Sequence, residues 1–418
     1  MAPWFNRFPA EIHSLILDNL NPGDILRLLK HGIVSLGVLT RHHVSMQDGA
    51  GDTILHLVSV EDWNIQEELM AAVISRSRDF SIPNRQGLTA LHSAILRVNY
   101  TAVRLLIDAG AQVPNEECHF AGRTLLSDAV VAGDLEMVEL LLDGGARTDA
   151  ADTYDMQPLH HAASKGDLDA IQLLIDRGAD LEAISMIGTP LHEAADPGHA
   201  DAVKLLLRNG ADPSAVNEHN GWTATWLAAS EGRPDVAKLL VDAGARDDIL
   251  LADSDGITPL HLAAAGGQAR YHEAYNAAVH HGQNFRSFLG ASVVPDEDIP
   301  RYNAVLQIFI NSGIDVDSSD EEGDTALHLA AAFGNVVAVG QLLRAGADVT
   351  RRTHTGRSAL AIAYSRGHQN VCHHLNQGRN LPSGLAFSFD APGMDHLEIH
   401  QLRNIVCCQG LLALVVHC

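Results

Sequence analysis

The chain has 418 residues, 46% of them hydrophobic and only 5% aromatic, and its 52 acidic residues outnumber 28 basic ones, giving a formal net charge of -24. So acidic a surface repels phosphate backbones and argues against direct binding to nucleic acid. We find no membrane-spanning run, no signal peptide and no metal or disulfide spacing among the five cysteines, so we expect a cytoplasmic or nuclear protein without cofactor or metal.

An amphipathic segment stands near the start of the chain. Residues 8–28 read FPAEIHSLILDNLNPGDILRL, with apolar residues at helical spacing at Ile12, Ile16 and Leu20. Together with Pro9, this pattern resembles the first half of an F-box, the motif that docks on the Skp1 adaptor of ubiquitin ligases. The alternative is that residues 1–44 form helices that only cap the domain behind them.

A repeat begins after residue 45. The tetrad Thr-Pro-Leu-His starts at Thr189 and Thr258, and copies that differ in the second residue start at Thr53, Thr89 and Thr325. Looser copies start at Thr124, Gln157, Thr223 and Ser358. Successive starts lie 32 to 36 residues apart, except for one gap of about twice that length. Most units end in a run of leucines followed by Gly-Ala.

This pattern resembles the ankyrin family over residues 45–378, whose period is about 33 residues. The resemblance implies an all-α solenoid of about nine helix-turn-helix units with β-turn fingers. The threonine is expected to cap the first helix of each unit. In the family the tetrad histidine bonds finger backbone and holds adjacent units in register. We therefore interpret six histidines as structural: His56, His92, His160, His192, His261 and His328.

Three aromatic residues are candidates for partner contact. Trp226 takes the place of the tetrad histidine, and Trp222 lies four residues before it. The resemblance places both beside the concave groove, where aromatic anchors are typical binding hot spots. The alternative is that a tryptophan fills the space left by the missing histidine. Tyr154 is the third aromatic candidate.

Two later segments also depart from the repeat. In the seventh unit we expect an insertion over about residues 268–302, either a private binding element or a neutral loop. The next finger is rich in acids, and Asp320, Glu321 and Glu322 are candidates for contact with a basic partner segment, the alternative being a solvated tip. Residues 379–418 lose the repeat, and we expect an irregular tail that either caps the last unit or reflects a gene-modelling error.

The expected function is protein recognition without catalysis. The sequence has no P-loop, GxGxxG, HExxH or GxSxG motif, and adjacent residues such as Cys372 and His373 point in different directions on a helix. We expect a monomeric scaffold or adaptor that binds protein partners through the concave ankyrin face. Two alternatives stay open: an F-box-type substrate receptor of a ubiquitin ligase and a nuclear transcription coregulator. The combination of an F-box-like start with ankyrin repeats is similar to many fungal proteins.

Overall fold

The described part of the chain is built from α-helices. The computed structural model describes residues 10–31, 38–60, 67–115, 122–217, 219–253, 256–266, 299–321 and 323–378. The chain divides into two compact units, residues 1–190 and 191–418. Within the described residues no helix has the length and apolar composition needed to cross a membrane.

Nine helix pairs follow one another along the described residues. They are Ile54–Ser59 with Glu67–Ile74, Ala90–Leu96 with Tyr100–Asp108, Leu125–Ala132 with Leu135–Asp143, Pro158–Lys165 with Leu168–Asp176, Pro190–Ala195 with Ala200–Arg208, Ala224–Ser230 with Pro234–Asp242, Pro259–Ala264 with Ile299–Asn311, Ala326–Ala332 with Val336–Arg344, and Ala359–Ser365 with Gln369–Gly378. We number these pairs repeats one to nine and call the loop before each first helix the finger of that repeat. The expected fold of about nine helix-turn-helix units is confirmed.

The first helix of each repeat begins where the sequence supplies a cap. Thr53 has extended backbone angles, and its hydroxyl accepts a hydrogen bond from the His56 N–H, while Nδ1 of the His56 ring accepts one from the Thr53 N–H. This reciprocal arrangement satisfies backbone donors that a helix start otherwise leaves unpaired. Loss of such a cap costs about 1 kcal/mol.

Small side chains allow the helices to pack closely. In repeat four, Ala162 and Ala163 of the first helix and Ile171 and Leu174 of the second are fully buried. Full burial of an aliphatic side chain the size of Ile171 contributes about 2 kcal/mol to stability. Because a single helix pair cannot enclose its own apolar face, this packing depends on neighbouring repeats.

Three short helices precede repeat one: Ala10–Leu17, Pro22–Lys30 and Arg41–Ser45. The second of them packs on the first helix of repeat one and buries Ile25, Leu26 and Leu29. The His43 ring of the third helix lies 2.7 Å from a carboxylate oxygen of Asp18, the residue that directly follows the first helix. Packing of this kind is what the capping interpretation predicts, and that interpretation stays a prediction.

Repeat seven has an unusually long second helix. Ile299–Asn311 has 13 residues and begins within the range that the sequence assigns to the insertion. Its fully buried side chains Tyr302, Leu306 and Phe309 face the first helix of repeat seven and the second helix of repeat six. The rest of the expected insertion, residues 267–298, and the expected tail from residue 379 lie outside the described residues.

Candidate partner-binding surface

In eight of the nine fingers, the described residues include one polar side chain that closes the finger at its base. In repeat four, Asp152 Oδ1 accepts hydrogen bonds from the N–H groups of Tyr154 at 2.8 Å and Met156 at 3.0 Å. Equivalent side-chain bonds are made by Asp48, Asn84, Ser185, Asn217, Asp253, Asp320 and Thr353. Such bonds are typical of Asp, Asn, Ser and Thr in turns. We call these eight residues the finger-base residues.

In several repeats the tetrad histidine joins the first helix to the finger that follows it. His56 Nδ1 accepts from the Thr53 N–H at 3.2 Å, so the ring proton lies on Nε2, which donates to the Leu88 carbonyl at 3.0 Å. His160 and His328 reach the following finger in the same way. Burial lowers the pKa of His160 to about 4, which keeps its ring neutral at pH 7. The expected register role is confirmed for these histidines.

An open groove of about 290 Å³ lies between repeats one and two. It is lined by the first helices and fingers of the two repeats, through Asp52, His56, Leu57, Val60, Asn84, Gln86, Leu88, Ser93, Leu96 and Arg97. The Leu96 side chain is 47% exposed and that of Val60 36% exposed. Drug-sized ligands need about 300 to 1,000 Å³ of enclosed space, so the groove suits one or two side chains of a protein partner.

The two candidate tryptophans lie inside repeat six. Trp222 and Trp226 are each 2% exposed, and their rings stack 4.4 Å apart at 10°. The Trp222 carbonyl also accepts the hydrogen bond from the His192 ring at 3.1 Å. So deeply buried a pair presents no ring to a partner, and the expectation of an exposed aromatic anchor is corrected in favour of the packing alternative.

The acidic residues in the finger of repeat eight differ in their exposure. Asp320 is a finger-base residue, 8% exposed, whose Oδ1 accepts from the Asp324 N–H at 2.8 Å. Its carboxylate is therefore engaged with backbone, which corrects its assignment as a contact for a basic partner. Glu321 is exposed, and Glu322 lies outside the described residues.

Tyr154 lies at the tip of the finger of repeat four and is 58% exposed. Its carbonyl accepts a hydrogen bond from the Met186 N–H of the next finger at 3.4 Å. Met186 is 60% exposed, so two neighbouring tips present large apolar side chains. Of the aromatic candidates, Tyr154 is the one with a surface that a partner can contact.

The candidate adaptor-docking residues are only partly described. Pro9 and the side chain of Ile12 lie outside the described residues, although Ile12 belongs to the helix Ala10–Leu17. Ile16 and Leu20 are half-buried, and Leu15, directly before Ile16, is 60% exposed. The helix thus keeps an exposed apolar residue while its neighbour Leu17 is fully buried.

The buried histidine and cysteine side chains discussed next lie in surroundings that do not favour catalysis. His161 Nε2 lies 3.0 Å from Asp152 Oδ2, and burial lowers the pKa of this histidine. Burial raises the pKa of the Cys372 thiol, the opposite of what a nucleophile needs. In the same part of the chain no three His, Cys, Asp or Glu side chains converge as they would around a metal ion.

A family model described as "Ankyrin repeats (3 copies)" matches residues 113–185, 191–286 and 300–381, more than half of the chain. The chain belongs to the ankyrin-repeat family. Ankyrin-repeat domains generally mediate protein–protein interaction and are non-catalytic, which places the described repeats among interaction domains.

Curated relatives are similar to part of the chain. The "Nuclear factor NF-kappa-B p105 subunit" of Mus musculus is 34% identical over 128 residues, 29% of this chain and 13% of that protein. The "B-cell lymphoma 3 protein homolog" of Mus musculus is 32% identical over 155 residues, 37% of this chain and 32% of that protein. The chain therefore spans less than a third of each.

Solved ankyrin domains are similar as well. The human ASB11 ankyrin repeat domain has a TM-score of 0.49 and 22% identity, covering 62% of this chain and 100% of that one. The ankyrin repeat domain of Bcl-3 has a TM-score of 0.46 and 25% identity, covering 61% of this chain and 99% of that one.

Sequence reasoning missed the ankyrin groove of repeats one and two, although the repeat register contains a signal for it. Val60 and Leu96 both stand seven residues after the start of their tetrads, and Val131 occupies the same position in repeat three. In the later repeats this position holds Ser, Asp or Ala. A large apolar residue there, on the open side of the first helix, marks the groove.

Proposed function

We propose that this chain is a non-catalytic scaffold or adaptor that binds protein partners through the concave ankyrin face, with the groove of repeats one and two as a main contact. The exposed apolar surface of Leu96 in this groove carries the proposal. Exposed apolar residues beside polar finger groups are typical of sites that receive a partner side chain. A preformed surface of this kind also loses little entropy on binding.

The test is affinity purification with quantitative mass spectrometry on the full chain. Leu96→Asp puts a charge into the groove at an exposed position, so the fold is expected to survive and captured partners to fall about tenfold or more. Val337→Asp is the matched control, because Val337 is 52% exposed on the second helix of repeat eight. Equal partner recovery from both variants would contradict the proposal.

Docking of the N-terminal helices on a Skp1-like adaptor is a second candidate function. It is supported by the F-box-like pattern and by Leu15, which is 60% exposed on the first helix. Purified Skp1 should bind the wild type and lose binding to Ile16→Asp, whereas Leu168→Asp, at a residue 39% exposed in repeat four, should leave binding unchanged. Unchanged Skp1 binding by Ile16→Asp rules this function out.

A nuclear coregulator is the third candidate. It is supported by similarity to a relative whose name describes a nuclear factor, although the chain spans only 13% of that protein. It places the chain in the nucleus as well as the cytoplasm, bound to a transcription factor. Microscopy of a fluorescent fusion should show nuclear accumulation, and a protein confined to the cytoplasm in every growth condition contradicts it.

A further inference from the structure

Large apolar tips occur on two neighbouring fingers. Tyr154 in repeat four is 58% exposed, and in repeat five Ile184 is 48% and Met186 60% exposed. The backbone hydrogen bond from the Met186 N–H to the Tyr154 carbonyl brings these two tips side by side. At the tip positions that follow the finger-base residue, the described residues of the other fingers are small or polar: Gly49, Ala50, Arg85, Gln86, His219, Glu321, His354 and Thr355. Ile184 precedes its finger-base residue, and the equivalent Val216 of repeat six is also exposed, at 43%. We call Tyr154, Ile184 and Met186, with the adjoining Asp155, the tip surface.

Asp155 occupies a backbone position that favours glycine. Its φ is 57°, in the left-handed region. The equivalent residue of each other finger is a glycine with positive φ: Gly51, Gly87, Gly122, Gly188, Gly221, Gly256, Gly323 and Gly356. Aspartate tolerates this conformation less well than glycine does, so the carboxylate is kept at a cost in stability. Asp155 is exposed next to Tyr154, and among the described residues its side chain has no hydrogen bond or ion pair that would offset this cost.

Exposed acidic residues occur in both fingers. Asp155 lies in the finger of repeat four and Asp180 and Glu182 in the finger of repeat five, whereas Arg147 of the finger of repeat four is held by Asp149 at 2.8 Å. Large apolar side chains next to an exposed carboxylate complement a segment that carries both large apolar and basic residues. Such a surface repels nucleic acid and anionic membrane surfaces.

The geometry points to the tip surface as a docking site for a basic partner segment that places at least two large apolar side chains on Tyr154, Ile184 and Met186. Asp155 supplies a carboxylate for a lysine or arginine of that segment. The site lies on fingers of repeats four and five, outside the groove of repeats one and two. It therefore goes beyond the proposed function and stands or falls separately from it.

The test uses random peptides displayed on phage and selected on the full chain. Selected peptides should be basic with large apolar residues, and their labelled synthetic forms should bind the double variant Tyr154→Ser/Met186→Ser about tenfold more weakly or worse. Val337→Ser, an exposed apolar change in repeat eight, should bind like the wild type. Selection without such peptides, or equal binding by the double variant, overturns the proposal.

Asp155→Gly separates recognition from folding. Removing the left-handed strain should raise the Tm by roughly 2 °C. The same variant should bind the selected peptides about threefold more weakly and with less salt dependence. A higher Tm with unchanged affinity overturns the role of Asp155. Peptides that lose binding only with Leu96→Asp would support the groove and overturn the tip surface.

Discussion

The fingers of repeats four and eight use the same type of residue differently. Both rest on a finger-base aspartate, Asp152 or Asp320, whose Oδ1 accepts from finger backbone. Repeat four then places Asp155 in the left-handed position and engages His161 with the second oxygen of Asp152, whereas repeat eight has Gly323 in that position. The position of an acidic residue along the repeat therefore decides whether it holds the finger backbone or is exposed to a partner.

The largest expected difference follows from removing the finger-base carboxylates. Asp152→Ala leaves two backbone donors and the buried His161 ring without their acceptor, so it should lower the free energy of unfolding by about 4 kcal/mol. Asp320→Ala lacks the histidine contribution and should cost about 2 kcal/mol. Urea unfolding at pH 7 measures both. Equal losses would mean that the His161 contact adds nothing to repeat four.

Repeats four and eight share a buried tetrad histidine, and the effect of low pH on the free energy of unfolding tests it. Both repeats hold a buried tetrad histidine whose pKa is lowered, to about 4 for His160 and in the same direction for His328, because burial disfavours the charged ring. An unfolded histidine takes up its proton near pH 6.5, while folded His160 stays neutral to about pH 4. The stabilisation is therefore complete above pH 6.5 and is lost as the pH falls through this window.

For His160 the loss should reach roughly 3 kcal/mol by pH 4. Urea titrations between pH 7 and pH 4 measure it. His160→Gln should reduce the pH dependence, while His374→Gln, at an exposed residue of the last helix, should leave it unchanged. A wild type whose stability is constant through this window contradicts neutral burial of the ring.

Much of the ankyrin scaffold was predictable from local patterns. The tetrads and their looser copies predicted where each first helix begins. Where a threonine is followed three residues later by a histidine, as in repeats one and two, the two residues cap the helix reciprocally. The role of Asp320 was also open to prediction, since it stands five residues before the start of its tetrad, as do Asp48, Asn84 and Asp152. The position of an acidic residue relative to the tetrad, rather than the number of acidic residues in the finger, predicts which one holds the finger backbone.

Other parts of the surface could not be predicted. Trp226 replaces an inward-facing histidine, but whether a larger ring turns inward depends on the space left by Trp222, and that space results from tertiary packing. Exposure of Tyr154 next to Met186 depends on how two fingers adjoin, over a separation of 32 residues along the chain. The sequence pattern of a single repeat therefore does not predict contacts between neighbouring fingers.

The smallest expected effect comes from copying the left-handed aspartate of repeat four into repeat eight. At Gly323, φ is 75° and an added Cβ would lie 2.8 Å from a ring carbon of His354 and 3.0 Å from its backbone nitrogen. Gly323→Asp should therefore cost about 2 kcal/mol, from backbone strain and crowding together. Gly356→Asp is the matched control, because φ is 78° there but no atom lies within 4 Å, so strain alone should cost about 1 kcal/mol. If both variants unfold at the same urea concentration, His354 moves aside without cost, and packing does not explain why glycine rather than aspartate occupies position 323.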